Sequence, residues 1–127
     1  MHIRVLGSAA GGGYPQWNCN HPNSRRARQD DPAAQQRTQS SIAVSADCKR
    51  WFLCNASPDL RKQINDNDIL QPKPQDPLRW SPIQAVVLTN ADVDHIAGLL
   101  NLRESQPLPK CFSEHNGFRP TRNCGHP

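Results

Sequence analysis

The sequence predicts an α/β fold, and three observations support this prediction. Apolar runs of strand length recur at residues 3–6, 40–46, 51–56 and 83–90. Two of these runs are followed directly by helix-like stretches, at 57–64 and 91–104. The 12 prolines and 7 glycines fall largely between these stretches. Strands that alternate with helices are typical of an α/β architecture.

The first predicted strand, Ile3 to Leu6, runs into the glycine-rich stretch GSAAGGG. Because glycine lets the backbone approach a ligand or a neighbouring strand closely, Gly11, Gly12 and Gly13 are candidates for a ligand-binding loop. The stretch lacks the GxGxxG spacing of a dinucleotide-binding turn. Residues 14–39 are polar and carry no helix pattern, so we expect a long loop there.

A hairpin and a helix follow this loop. The stretches SSIAVSA and WFLCNA flank the turn DCKR and predict two paired strands. SPDLRKQI predicts a helix, with Ser57 as its N-cap and Pro58 in its first turn. Residues 65–82 are interrupted by prolines and predict an irregular connection.

The last strand and helix come from IQAVVLTN and ADVDHIAGLLNLRE. The first stretch is apolar enough to predict a strand buried on both faces. The second predicts a helix with Ile96, Leu99 and Leu100 on one face.

Three metal-ligand types, Asp92, Asp94 and His95, lie between this strand and this helix. Open α/β sheets bind ligands at the carboxyl ends of their strands. Two carboxylates and an imidazole suit Fe(II), Mn(II) or Zn(II). The residues alone leave an alternative open, in which the aspartates stabilise the helix N-terminus and His95 is a surface residue.

Composition excludes several classes of protein. The hydrophobic fraction is 35%, below the usual ~45–50%, which predicts an incomplete core. A net charge of +4 is too small for a nucleic-acid-binding face. No apolar stretch approaches the ~18 residues that a membrane span needs, and no signal peptide is recognisable. The five cysteines show no disulfide framework, so we expect a cytoplasmic location.

The stretch TNADVDHIAGL resembles the THxHxDHxxGL signature of the metallo-β-lactamase fold. Asn90 and Asp92 stand where that signature has its first two histidines, whereas Asp94 and His95 match its last two ligands. Four segments in order are similar to the coenzyme PQQ synthesis protein B family: VLGSAAGGGYPQWNCN, RTQSSIAVS, WFLCNASPDLR and TNADVDHIAGLLNLRE. The resemblance covers residues 1–107.

This resemblance implies an αββα sandwich of which the chain holds the N-terminal half. It implies a role in the biosynthesis of pyrroloquinoline quinone (PQQ), with PQQ or its peptide-derived precursor as ligand and other proteins of the pathway as possible partners. One implied activity is an iron- and O2-dependent hydroxylation of the tyrosine-derived precursor. The alternative is a carrier that helps move PQQ or its precursor to the periplasm.

The resemblance also assigns roles to residues. Asp92, Asp94 and His95 are the expected metal ligands, with Asp94 and His95 also catalytic. Asn90 is expected to orient substrate or water. A carboxylate-rich site with open positions suits Fe(II) oxygenation better than hydrolysis at zinc, so Fe(II) is the expected cofactor.

Many members of the family carry a C-x-C-x-x-C motif that binds a structural zinc. The matching residues here are Cys19, His21 and Ser24. Serine is a poor zinc ligand, and a structural site needs four donors. We therefore expect a degraded site that holds no structural zinc.

Similarity and periodicity both end near Pro107. We expect residues 108–127 to form a disordered tail, which a frameshift near Pro107 would explain. Half a sandwich would leave one apolar sheet face uncovered and the metal shell incomplete. We therefore expect the chain alone to be inactive, and a truncated product without function is the third possibility.

Overall fold

The computed structural model describes residues 1–103 and the backbone of a strand at 110–112. The strands are β1 (His2–Gly7), β2 (Ser41–Ser45), β3 (Trp51–Cys54), β4 (Ile83–Leu88) and β5 (Lys110–Phe112), and they form one sheet in chain order. β1, β2 and β3 pair antiparallel, whereas β3, β4 and β5 pair parallel. The predicted hairpin and the strands on either side of it are thus confirmed.

The helical elements are α1 (Pro22–Arg28), α2 (Leu60–Asn65) and α3 (Val93–Ile96), with 3-10 turns at Asp68–Leu70 and Ala97–Leu102. The prediction of a loop throughout 14–39 is wrong, because α1 lies within it. Only Ser24 and Ala27 of α1 are buried, so its sequence does not show the regular spacing of apolar residues that is typical of an amphipathic helix. Pro22 occupies its first turn, and His21 Nδ1 accepts a hydrogen bond from the backbone N–H of Asn23.

The predicted N-cap of α2, Ser57, is two residues too early, because the observed N-cap is Asp59. Ser57 is fully buried, and its hydroxyl donates to Gln63 Oε1 at 3.4 Å instead of capping a helix. The backbone N–H of Leu60 donates to Ser57 O, so residues 57–60 form a turn that leads into α2.

The helix predicted over 91–104 is a single α-helical turn continued by 3-10 geometry. The N–H of Gly98 donates to Ala56 O at 2.8 Å and so leaves the helical ladder, which ends the α-helix. Ile96 and Leu99 pack against the core as predicted, but Leu100 is 72% exposed.

The core lies on the sheet face that α2 covers. Trp51 and Leu53 of β3 and Val86 and Leu88 of β4 are buried there, together with Leu60 of α2. Burying a side chain of this size stabilises a fold by about 1.5–3 kcal/mol. This layer holds the carboxyl ends of β3 and β4 beside one another.

Much of the opposite sheet face is exposed among the described residues, although Ala85 on it is buried. We call it the open face. The strand register places eight apolar residues on it in two rows: Ile3, Val44, Phe52 and Ala85, and Val5, Ile42, Cys54 and Val87. The exposed fraction reaches 60% at Val5 and 38% at Val87, so β4 is not buried on both faces.

Within 1–103 and 110–112, no helix has the length and apolarity that crossing a bilayer requires. β5 was not predicted, because three residues are too short to carry a pattern. Apart from this strand, the predicted tail 108–127 lies outside the described residues.

Candidate metal site

Asp92, Asp94 and His95 come together at the carboxyl end of β4. Each offers one ligand atom, and these three atoms lie within 4.8 Å of one another. Asp92 is the exposed N-cap residue of α3, and Asp94 and His95 are half-buried in its single turn. The N–H of His95 donates to Asp92 O at 2.8 Å, which keeps this turn closed. The three residues predicted as metal ligands therefore share one site.

One nitrogen of this site lacks a hydrogen bond. His95 Nδ1 is buried and makes no hydrogen bond among the described residues, although it lies 3.1 Å from Asp94 Oδ1. A buried ring nitrogen without a partner is costly in a protein interior. A divalent cation beside the two carboxylates would give it one, so the donor set fits a metal.

Asn90 lies next to the site, and its side-chain oxygen accepts a hydrogen bond. Its Oδ1 accepts a hydrogen bond from the backbone N–H of Asp92 at 2.9 Å. This bond shapes the turn that leads from β4 into α3. A role of Asn90 in orienting substrate or water stays a prediction.

The glycine-rich loop after β1 lies close to Asp94 of this site. A Cβ at Gly11 would lie 2.9 Å from Asp94 Oδ2. Gly12 and Gly13 have φ of +110° and +73°, a backbone conformation that favours glycine. The three glycines thus differ in role: Gly11 leaves room for the Asp94 carboxylate, and the next two shape the loop.

Gly12 and Gly13 also line a half-open cleft of about 760 Å³. Arg37, Asp59 and Lys62 are among its charged lining residues. None of the three metal-ligand candidates lines it. A ligand in the cleft would therefore contact Gly12 and Gly13 but none of these three candidates.

The second candidate cluster, Cys19, His21 and Ser24, lies at the start of α1. The Ser24 hydroxyl donates to Cys19 Sγ at 3.1 Å, and His21 Nδ1 is occupied by the N–H of Asn23. The Ser24 hydroxyl, the His21 backbone N–H and the Arg28 charge together lower the pKa of the Cys19 thiol. Ser24 thus donates a hydrogen bond to the Cys19 sulfur at a position where a zinc site would need a further metal ligand.

Sequence reasoning missed the residues that hold the metal-site segment in place. Asn55 follows β3 in the left-handed conformation, with φ of +66°. Its Oδ1 accepts from both the N–H and the hydroxyl of Thr89, at 3.0 and 3.1 Å. An asparagine directly after a strand is a signal for such a turn, but the sequence does not reveal its partner.

A family model described as the beta-lactamase superfamily domain matches residues 50–116. The chain is 64% identical, over 108 residues, to coenzyme PQQ synthesis protein B of Xanthomonas oryzae pv. oryzae. It is 62% identical, over 119 residues, to the protein of that name from Xanthomonas campestris pv. campestris. These alignments cover 85% and 94% of this chain but only 36% and 38% of the relatives. The chain therefore spans little more than a third of their length.

Two solved structures share the fold. One is the crystal structure of Zn(2+)-bound PqqB from Methylobacterium extorquens, with 57% identity and a TM-score of 0.83. That match covers 87% of this chain and 39% of the other. The second is a diphosphatase from the PhnP family, with 28% identity and a TM-score of 0.60, covering 80% of this chain and 34% of the other. The predicted fold class is confirmed.

Proposed function

The chain belongs to the beta-lactamase superfamily and resembles the N-terminal part of coenzyme PQQ synthesis protein B, and from this premise we propose that it supplies metal-binding residues to a protein of PQQ biosynthesis. The reaction is the Fe(II)- and O2-dependent hydroxylation of a tyrosine-derived precursor. The observation that carries this proposal is the cluster of Asp92, Asp94 and His95, in which His95 Nδ1 is buried without a hydrogen bond among the described residues.

The donor set favours iron over zinc. Hydrolytic zinc sites of this fold are rich in histidine, whereas this cluster has two carboxylates and one imidazole. Non-heme Fe(II) oxygenases bind iron through imidazole and carboxylate ligands with positions left open, and this cluster offers the same two ligand types. When bound, Fe(II) would supply the activation of O2.

The residues of the chain would hold and orient this centre. Asp94 and His95 are half-buried, with side-chain exposures of 23% and 21%, so part of the site is shielded from bulk water. Asp92 is exposed to solvent. Asn90 keeps the N–H of Asp92 bonded and so fixes the start of α3.

The three donors leave coordination positions unfilled. In the sandwich fold further ligands come from the second sheet, which would also cover the open face. We therefore infer that the chain alone binds a metal weakly and does not complete the reaction.

A metal titration tests the site. Co(II), whose visible absorption reports coordination, is added to the 127-residue chain without oxygen. We expect one bound ion and a loss of affinity of roughly a hundredfold in Asp94→Asn, because even outer-shell changes cost about 10–100-fold. Asp68→Asn removes an exposed carboxylate away from the site and is the matched control. Equal binding by both variants would remove the basis of the proposal.

A second experiment separates the enzyme from the carrier. Asp94→Asn is introduced into the gene in cells that make PQQ, and PQQ is measured inside the cells and in the periplasm. A hydroxylase predicts loss of PQQ from both. Normal PQQ inside the cells with little in the periplasm would support the carrier instead.

A further inference from the structure

We propose that Asn55 and the turn it opens, residues 55–57, position the metal-binding segment, and that Asn55 sets the metal affinity without touching the ion. This inference rests on the metal site of the proposed function. It concerns residues outside the motif that carries the metal ligands. We call residues 55–57 the anchoring turn.

The anchoring turn is attached to the metal-binding segment at three points. Asn55 Oδ1 accepts two hydrogen bonds from Thr89, just before the ligands. The N–H of Ala56 donates to His95 O at 2.7 Å, within the ligand set. Ala56 O accepts from the N–H of Gly98 at 2.8 Å, just after it. The segment is thus held before, at and after its ligands.

The contact at Gly98 is close enough to exclude a side chain. A Cβ there would overlap Ser57 O and the carbonyl group of Ala56. Gly98, Ala56 and Ser57 are all buried, so their backbone groups are shielded from water. A lost bond in such a place leaves a buried polar group unsatisfied, which costs about 1–3 kcal/mol.

Asn55 is the residue of this turn whose side chain reaches the segment. Its N–H continues the ladder of the parallel strands by donating to Val87 O at 2.8 Å. Its left-handed backbone then turns the chain, and its Oδ1 reaches the end of β4 at Thr89. Asparagine tolerates this conformation better than most residues and also carries the acceptor.

The effect on the metal follows from the position of His95. Its carbonyl is bonded to Ala56, so a shift of the anchoring turn moves the backbone that carries the imidazole. Metal affinity depends steeply on ligand orientation, and outer-shell partners typically change it by about 10–100-fold. Thr89 lies only three residues before Asp92, so the first carboxylate is displaced with it.

The test uses two substitutions at one position. Asn55→Gly keeps the left-handed backbone free of strain and removes only the acceptor. Asn55→Asp keeps an acceptor oxygen in the same place. Asn20→Gly makes the same chemical change in an exposed loop and serves as the control. Co(II) affinity and absorption are measured on the 127-residue chain, with circular dichroism as the check on folding.

We expect Asn55→Gly to weaken Co(II) binding by about tenfold and to alter its spectrum, while Asn55→Asp and Asn20→Gly keep both. Hydrogen exchange over 89–98 should become faster in Asn55→Gly alone. Co(II) binding and exchange unchanged in Asn55→Gly would overturn the role of Asn55 and leave the metal site intact. Absence of Co(II) binding in every form, the unaltered chain included, would overturn both proposals.

Discussion

Gly11 lies against the carboxylate of Asp94, so closely that a methyl group on its α-carbon would lie 2.9 Å from Asp94 Oδ2. The two residues are far apart in sequence and belong to different elements, the loop after β1 and the turn α3. The glycine-rich loop therefore lies against the candidate metal site. Because Gly11 has no side chain, it leaves room for the Asp94 carboxylate.

A methyl group at this position should displace the carboxylate. Real Cβ atoms essentially never lie under 3.0 Å from another heavy atom, so Gly11→Ala requires Asp94 to rotate away. We expect Co(II) affinity to fall about tenfold, as in other changes that misorient a ligand. Ala10→Ser, which enlarges the neighbouring exposed residue, should leave the affinity unchanged. A Gly11→Ala chain with normal Co(II) binding would show that Asp94 does not need this space.

The Cys19 thiol should respond to the loss of one hydroxyl. The hydrogen bond from Ser24 is the largest cause of its lowered pKa. Ser24→Ala should therefore move that pKa upward, towards the ordinary thiol value, so that a higher pH is needed to form the thiolate. The measurement is the rate of alkylation by iodoacetamide against pH, read from the Cys19 peptide by mass spectrometry.

The matched control for this change is Ser40→Ala, which removes an exposed hydroxyl elsewhere. Its Cys19 alkylation profile should coincide with that of the unaltered chain. If Ser24→Ala leaves the profile in place as well, the hydrogen bond between Ser24 and Cys19 is not what favours the thiolate.

The open face should make the chain self-associate. It presents Val5 and Phe52 to solvent at 60% and 41% exposure, among other apolar residues. Contiguous apolar surface of this kind drives association in water. Val5→Lys should raise the fraction of monomer in sedimentation velocity, because a charge on the face must be desolvated on association.

Leu78→Lys is the control for the open face, because Leu78 is 99% exposed but lies outside the sheet. Its monomer fraction should match that of the unaltered chain. An equal gain of monomer in the two variants would point to net charge and not to the open face as the cause.

Much of the sheet could be predicted from the sequence, because strand patterns are local. Ile42 and Val44 alternate with small residues along β2, and the apolar run of β4 has few other interpretations. The grouping of Asp92, Asp94 and His95 could be predicted for the same reason, since they are neighbours in the chain. A motif of this length can be recognised without the fold.

What could not be predicted depends on contacts between distant residues. α1 has only Ser24 and Ala27 to bury, so its sequence reads as a polar loop. The helix predicted from residue 91 changes to 3-10 geometry because Gly98 bonds to Ala56, a partner that pattern analysis does not identify. Gly11 was predicted to belong to a ligand-binding loop, which stays a prediction, and its closeness to Asp94 could not be foreseen from the sequence.

The attachment of the metal-binding segment also bears on the order in which the site forms during folding. The three candidate ligands fall within a four-residue stretch, so closing the loop between them costs little chain entropy. The bond between Asn55 and Thr89 spans 34 residues and requires β3 and β4 to pair first. A nascent chain can thus gather the ligands early, but it acquires their final orientation only when the parallel strands have met.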